Sequence, residues 1–156
     1  MEAMKKTHKI LIAACAATLL VSASAQANDS HTITVNATVL ATCKFNTATS
    51  TLNMTLDPTL STTVSQTASV LYRCTKGTAP SFTFSSGSTS SATGGNLTNA
   101  AESIAYTYTS ASGGNGTGMG TGNDKSLSVT VSVNQANAAN VTPGVYTDTI
   151  AITLTP

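Results

Sequence analysis

Apolar residues fall at every second position over much of this chain. Leu127, Val129, Val131 and Val133 alternate with Ser126, Ser128, Thr130 and Ser132. A period of two sends one set of side chains to one face of a pleated strand and the other set to the opposite face. An amphipathic helix repeats apolar residues at i, i+3, i+4 and i+7, and this stretch has no i+3 or i+7 pair. The same alternation recurs in Ile33, Val35, Ala37 and Val39, and stays in phase to Ala41, Cys43 and Phe45. It returns as Leu52, Met54 and Leu56 within 51–56, and as Val70, Tyr72 and Cys74 within 67–74. Phe82 and Phe84 follow within 81–84, and Ile104, Tyr106 and Tyr108 within 103–109. Ile150, Ile152 and Leu154 close the series within 145–155. About seven short strands and no helix are expected, which predicts an all-β sandwich or barrel. An immunoglobulin-like β-sandwich fits best, and periodicity alone leaves a jelly roll open.

The punctuation agrees with this reading. Asp57-Pro58, Lys76-Gly77 and Pro143-Gly144 are turn signals. Loops are expected at 85–96, rich in Ser, Thr and Gly, and at 113–123, with glycine at 113, 114, 116, 118, 120 and 122. A chain of 156 residues allows one domain and little more. Its charged fraction of 8% argues against a charge-rich disordered chain.

Residues 1–27 read as a secretory signal peptide. Lys5, Lys6 and Lys9 supply the positive start, residues 10–21 the apolar core, and Ala23-Ser24-Ala25 or Ala25-Gln26-Ala27 the cleavage site. The apolar run is short of the roughly 20 residues a membrane span requires. Ile12-Ala13-Ala14-Cys15 also resembles a lipoprotein processing site, but the apolar run continues through Leu19, Leu20 and Val21. Export through the periplasm to the cell surface is the expectation.

Removing the signal leaves Cys43 and Cys74. In an oxidising compartment such a pair is expected to form a disulfide. Closing a loop of about 31 residues would stabilise by roughly 3–4 kcal/mol in the chain-entropy model. A metal site or a reactive thiol is the alternative, with only His31 at hand to assist either.

Several function classes find no support. Lys44, Arg73, Lys76 and Lys125 face Asp29, Asp57, Glu102, Asp124 and Asp148, and no basic run remains for nucleic acid. With residues 1–27 removed, His31 is the only histidine and lies near the start, so a Ser-His-Asp or Cys-His constellation is not expected. The acids lack the spacing of a paired acid–base site or a calcium loop. The glycine run lacks phosphate-loop spacing and leads into a strand. Asn36, Asn53, Asn96, Asn115 and Asn140 begin N-x-Ser/Thr triplets, read here as chance in a Thr-rich chain. Asp148 is expected in a structural hydrogen-bond network near Tyr146, and Tyr106 and Tyr108 in the core. No enzyme activity, cofactor or metal is expected.

Four stretches together carry a family resemblance. Residues 34–43, Thr-Val-Asn-Ala-Thr-Val-Leu-Ala-Thr-Cys, form an opening strand and first cysteine. Tyr72-Arg73-Cys74-Thr75-Lys76-Gly77 holds the second cysteine, and Ile104-Ala105-Tyr106 a central strand. Gly144, Tyr146 and Asp148 mark the closing motif, Gly144-Val145-Tyr146-Thr147-Asp148-Thr149, ahead of a last alternating strand. In these the chain resembles the spore coat protein U family, which includes the archaic chaperone–usher pilins.

The resemblance implies an incomplete sandwich that lacks its final strand, and polymerisation by donor-strand complementation, a form of β-augmentation. Residues 28–39 would be the N-terminal donor-strand extension, with Ile33, Val35, Ala37 and Val39 as the donated face. Residues 40–156 would be the pilin domain, and Ile150, Ile152 and Leu154 would line the acceptor groove. The partners implied are identical or related pilin subunits, a periplasmic chaperone and an outer-membrane usher. Ten extended residues reach about 33 Å, enough to cross a neighbouring domain. The chain ends directly after its last strand, which fits the same scheme. Ile33–Val39 as the first strand of its own domain is the plainer alternative. The expected function is a pilus shaft subunit supporting adhesion and biofilm formation. The alternatives are a coat protein of the same family and a monomeric secreted carbohydrate-binding module.

Overall fold

The computed structural model describes residues 29–47, 49–88 and 93–156. The expected signal peptide, with Cys15, and residue 28 lie outside the described residues. The chain separates into two units, Met1–Ala37 and Thr38–Pro156. Of the first unit, residues 29–37 are described. They are exposed and belong to no strand.

The second unit is an all-β sandwich with seven strands among the described residues. These are β1 (Cys43–Phe45), β2 (Thr63–Cys74), β3 (Ser81–Ser86), β4 (Gly94–Asn99), β5 (Glu102–Ser112), β6 (Lys125–Asn134) and β7 (Ile150–Thr155). Five form one antiparallel sheet in the order β1-β2-β6-β5-β4, and β3 and β7 form a second, two-stranded sheet. A 3-10 turn, Gln135–Ala138, follows β6, and the Asn134 side chain caps it by accepting from the Ala136 amide.

β6 sits at the centre of the larger sheet, with β2 on one side and β5 on the other. Its alternation becomes a buried row of Leu127, Val129, Val131 and Val133, with Val133 fully enclosed. Tyr72, Ile104, Tyr106 and Tyr108 join this row in the core. β3 closes part of the sandwich with aromatic contacts: Phe82 meets Tyr72 edge-on at 5.1 Å, and Phe84 lies 5.7 Å from Tyr108. Such pairs add to the stabilisation from area burial alone. Cys43 and Cys74 face each other in the β1–β2 register and form the disulfide.

Three expectations need correction. Residues 51–56 form no strand, although Leu52, Met54 and Leu56 are half-buried and alternate with exposed neighbours. Their side chains have a core to face, but their backbone has no neighbouring strand. The strand expected over 145–155 is shortened to Ile150–Thr155. Before it, Thr147 bridges to Thr98 on the open edge of β4, so the chain crosses from one sheet to the other between 147 and 150. β4 occupies part of the expected loop at 85–96. It joins β5 through the two-residue turn Ala100–Ala101, where Ala100 takes φ 52. A hairpin turn of that kind is ordinarily signalled by Asn or Gly, and here the signal is absent.

Candidate functional site

The two-stranded sheet covers only part of the larger one, and the remainder opens into a groove of about 1290 Å³. Its floor is the inner face of the five-stranded sheet, with Val70 of β2, Val129 and Val131 of β6, and Ile104 and Tyr106 of β5. One wall is the extended segment 49–56, which presents Leu52, Met54 and Leu56. The other wall is residues 141–152, including Ile150 and Ile152 of β7. Leu154, expected with them, is half-buried in the core and does not line the groove.

Each wall offers backbone as well as side chains. Gly87 donates to the Thr149 carbonyl at 2.8 Å, which makes that pair hydrogen-bonded across the β3–β7 register. Antiparallel ladders alternate, so residues 151, 153 and 155 also turn their peptide groups toward β3. The N–H and C=O of Ile150, Ile152 and Leu154 point to the other edge, where no strand pairs with β7 among the described residues. The opposite wall is anchored only at its ends. Asn46 donates to the Leu71 carbonyl at 2.8 Å. The Asp57 amide donates to Gln135 Oε1 at 2.8 Å. Gln135 is buried, and its Nε2 donates to Thr62 Oγ1 at 2.9 Å. Between these anchors, residues 49–56 make no backbone ladder among the described residues.

Two carboxylates hold the wall formed by 141–152. Glu102 Oε2 accepts from the Thr142 amide at 2.9 Å and from the Tyr146 hydroxyl at 2.7 Å, and the Thr142 hydroxyl also donates to it. These bonds, led by the Thr142 hydroxyl, hold the Glu102 carboxyl below its ordinary value. Asp148 Oδ2 accepts from Ser86 at 2.7 Å, Tyr106 at 2.8 Å and Ser88 at 2.9 Å, and Oδ1 accepts from the Thr149 amide. Burial pushes the Asp148 carboxyl up, but its donors outweigh this and leave it below the ordinary value. Burial, with smaller contributions including the nearby Asp148 charge, pushes the Tyr106 phenol up to about 12. The network around Asp148 therefore draws in Ser86, Ser88 and Tyr106, while Tyr146 is paired with a separate carboxylate, Glu102. Gly144 lies exposed in the same wall.

The sequence reading missed Gln135, Glu102 and the wall of Leu52, Met54 and Leu56. The alternation in 51–56 was a usable signal for the wall. Nothing in the sequence marked Gln135 or Glu102, because their partners lie 40 or more residues away in the chain. Ile33, Val35 and Val39 are 78%, 85% and 81% exposed, and Ala37 is exposed beside them. Among the described residues, no group of three His, Cys, Asp or Glu side chains is placed to hold a metal.

The family model for the Spore Coat Protein U domain matches residues 29–153. The chain belongs to this family. The Spore Coat Protein U family comprises pilus- and coat-type surface proteins, which suggests an extracellular surface or coat location. Neither a curated protein nor a solved structure matches the chain significantly.

Proposed function

We propose that this chain is a non-enzymatic shaft subunit of an archaic chaperone–usher pilus that polymerises by donor-strand exchange and supports adhesion and biofilm formation. The observation that carries the reading is a pair of backbone edges without a ladder among the described residues, the outer edge of β7 on one side and 49–56 on the other, flanking an apolar floor. An added strand would satisfy backbone groups on both sides and cover the floor at once. The arm 28–39 of a second copy has the needed character: it is apolar at alternate positions, and its described residues, 29–39, are exposed and in no strand. Burying Ile33, Val35 and Val39 would contribute roughly 1.5–3 kcal/mol each, and Ala37 less. Leaving the groove would expose it again, so the filled state is also held kinetically. A periplasmic chaperone would cover the groove after export, and an outer-membrane usher would direct the exchange. The signal peptide at 1–27 supplies the export step.

The mature protein run on a gel without boiling should give SDS-resistant ladders that collapse on boiling. Deleting residues 28–39 should abolish them, and ladders that survive the deletion overturn the donor assignment. Val35→Asp should block assembly without unfolding the subunit, since a charge would enter an apolar slot. The family's description names a spore coat, which favours coat assembly as a second reading. Electron microscopy separates thin fibres from a continuous coat.

A further inference from the structure

The place where the arm leaves the domain is held by one side chain. β1 and β2 pair Cys43 with Cys74, and the ladder runs one step further, with the Thr75 amide donating to the Thr42 carbonyl at 2.9 Å. There the backbone partner ends. Thr78 donates to the Thr75 carbonyl at 3.0 Å, closing a turn in which Gly77 takes φ +83. The Gly77 amide, the next one able to meet the arm, donates instead to the Gly116 carbonyl at 2.9 Å. Gly116 in turn donates to the Thr78 carbonyl at 2.8 Å. It is buried so closely that an added Cβ would lie 2.5 Å from the Cys74 carbonyl oxygen. The glycine-rich loop thus locks the turn and takes the backbone groups that could have extended the ladder.

Past that point the Thr75 hydroxyl takes over. It accepts from the Thr42 amide at 3.2 Å and donates to the Leu40 carbonyl at 3.2 Å, with the Thr42 carbonyl at 3.4 Å as a second acceptor. Every residue from 31 to 40 is exposed, and among the described residues the Leu40 carbonyl is the last point in this direction hydrogen-bonded to the domain.

We propose that Thr75 is a positioning residue that fixes the line along which the donor arm leaves the domain, and so the angle between successive subunits. This rests on the donor-strand reading above. Rigid attachment at Leu40 makes the joint between copies start at Val39, next to the donated segment. Without the hydroxyl, the Thr42 amide and the Leu40 carbonyl would lose their partner, the backbone bond at the Thr42 carbonyl would remain as the last hold, and the joint would gain free residues.

The test uses Thr75→Val, which keeps shape and strand propensity but removes the hydroxyl, and Thr75→Ser, which restores it. Hydrogen exchange at the Thr42 amide in assembled fibres should speed by about tenfold in T75V, the size expected for one lost hydrogen bond, and return in T75S. Electron microscopy should show T75V fibres with broadened inter-subunit angles and shorter bending length, and T75S fibres like the wild type. T75V fibres with wild-type angles and wild-type protection at Thr42 overturn the positioning role alone. Wild-type subunits that form no fibre, or fibres that persist without residues 28–39, overturn the donor reading and this inference with it.

Discussion

β6 and the segment 49–56 carry the same sequence pattern and have opposite backbone surroundings. In β6, Leu127, Val129, Val131 and Val133 alternate with hydroxyl residues, and the strand is laddered to β2 and β5 along both edges. In 49–56, Leu52, Met54 and Leu56 alternate with Thr and Asn, and neither edge is laddered among the described residues. In both stretches alternation marks the side chains that have an apolar surface to face. It says nothing about whether the peptide groups have a partner. The difference locates the groove, because 49–56 is extended against the core with no neighbouring strand among the described residues.

The contrast can be broken most forcefully at β6. Leu127→Ala should cost about 2–5 kcal/mol of domain stability, since Leu127 is fully buried and the cavity cannot collapse onto paired strands. Urea denaturation checks this, and a cost below about 1 kcal/mol would show β6 to be peripheral. Gln135→Ala should cost about 1–3 kcal/mol by stranding the Asp57 amide and loosening the far anchor of 49–56. Nuclear magnetic resonance should show the loss confined to residues near 49–62. Met54→Ala should cost the empty domain less than about 1 kcal/mol, because its side chain is only half-buried. The same change should weaken binding of a peptide of residues 28–39 by about tenfold, roughly the transfer energy of the lost contact. Calorimetry measures it, and equal effects on the empty and filled domain would erase the distinction between the two regions.

The smallest effect concerns pH. Asp148 and Glu102 both have folded-state values below their unfolded ones. Their stabilisation is present above the ordinary carboxyl values of 3.8 and 4.5 and is lost as pH falls through the lower folded values. Acid should therefore loosen the 141–152 wall while leaving the core row of β6 intact. Asp148→Asn should flatten part of that dependence in denaturation curves taken from pH 6 to pH 2. An unchanged slope would remove Asp148 from the account.

Much of the architecture was legible in the chain. β2, β3, β5 and β6 lie where period-two runs place them, because each buries one face against a core. The β4–β5 hairpin was illegible, since Ala100–Ala101 carries no turn residue and the tertiary structure supports an alanine at φ 52. Asp148 was expected in a structural network near Tyr146, and it lies in one with Ser86, Ser88 and Tyr106, while Tyr146 itself donates to Glu102, a partner that chain proximity did not mark. The Cys43–Cys74 bridge was readable from residue count and compartment, and the structure adds that it joins paired positions of β1 and β2.

By itself the sequence determined the β class, the faces that bury and the cysteine pair, all of which follow from local alternation and composition. Only the tertiary structure decided which extended segments have neighbours, that Ile150 and Ile152 but not Leu154 line the groove, and that the Thr75 hydroxyl bonds Thr42 and Leu40. Those facts depend on backbone hydrogen bonds and on contacts between residues far apart in the chain. Hydrophobic period carries no information about either.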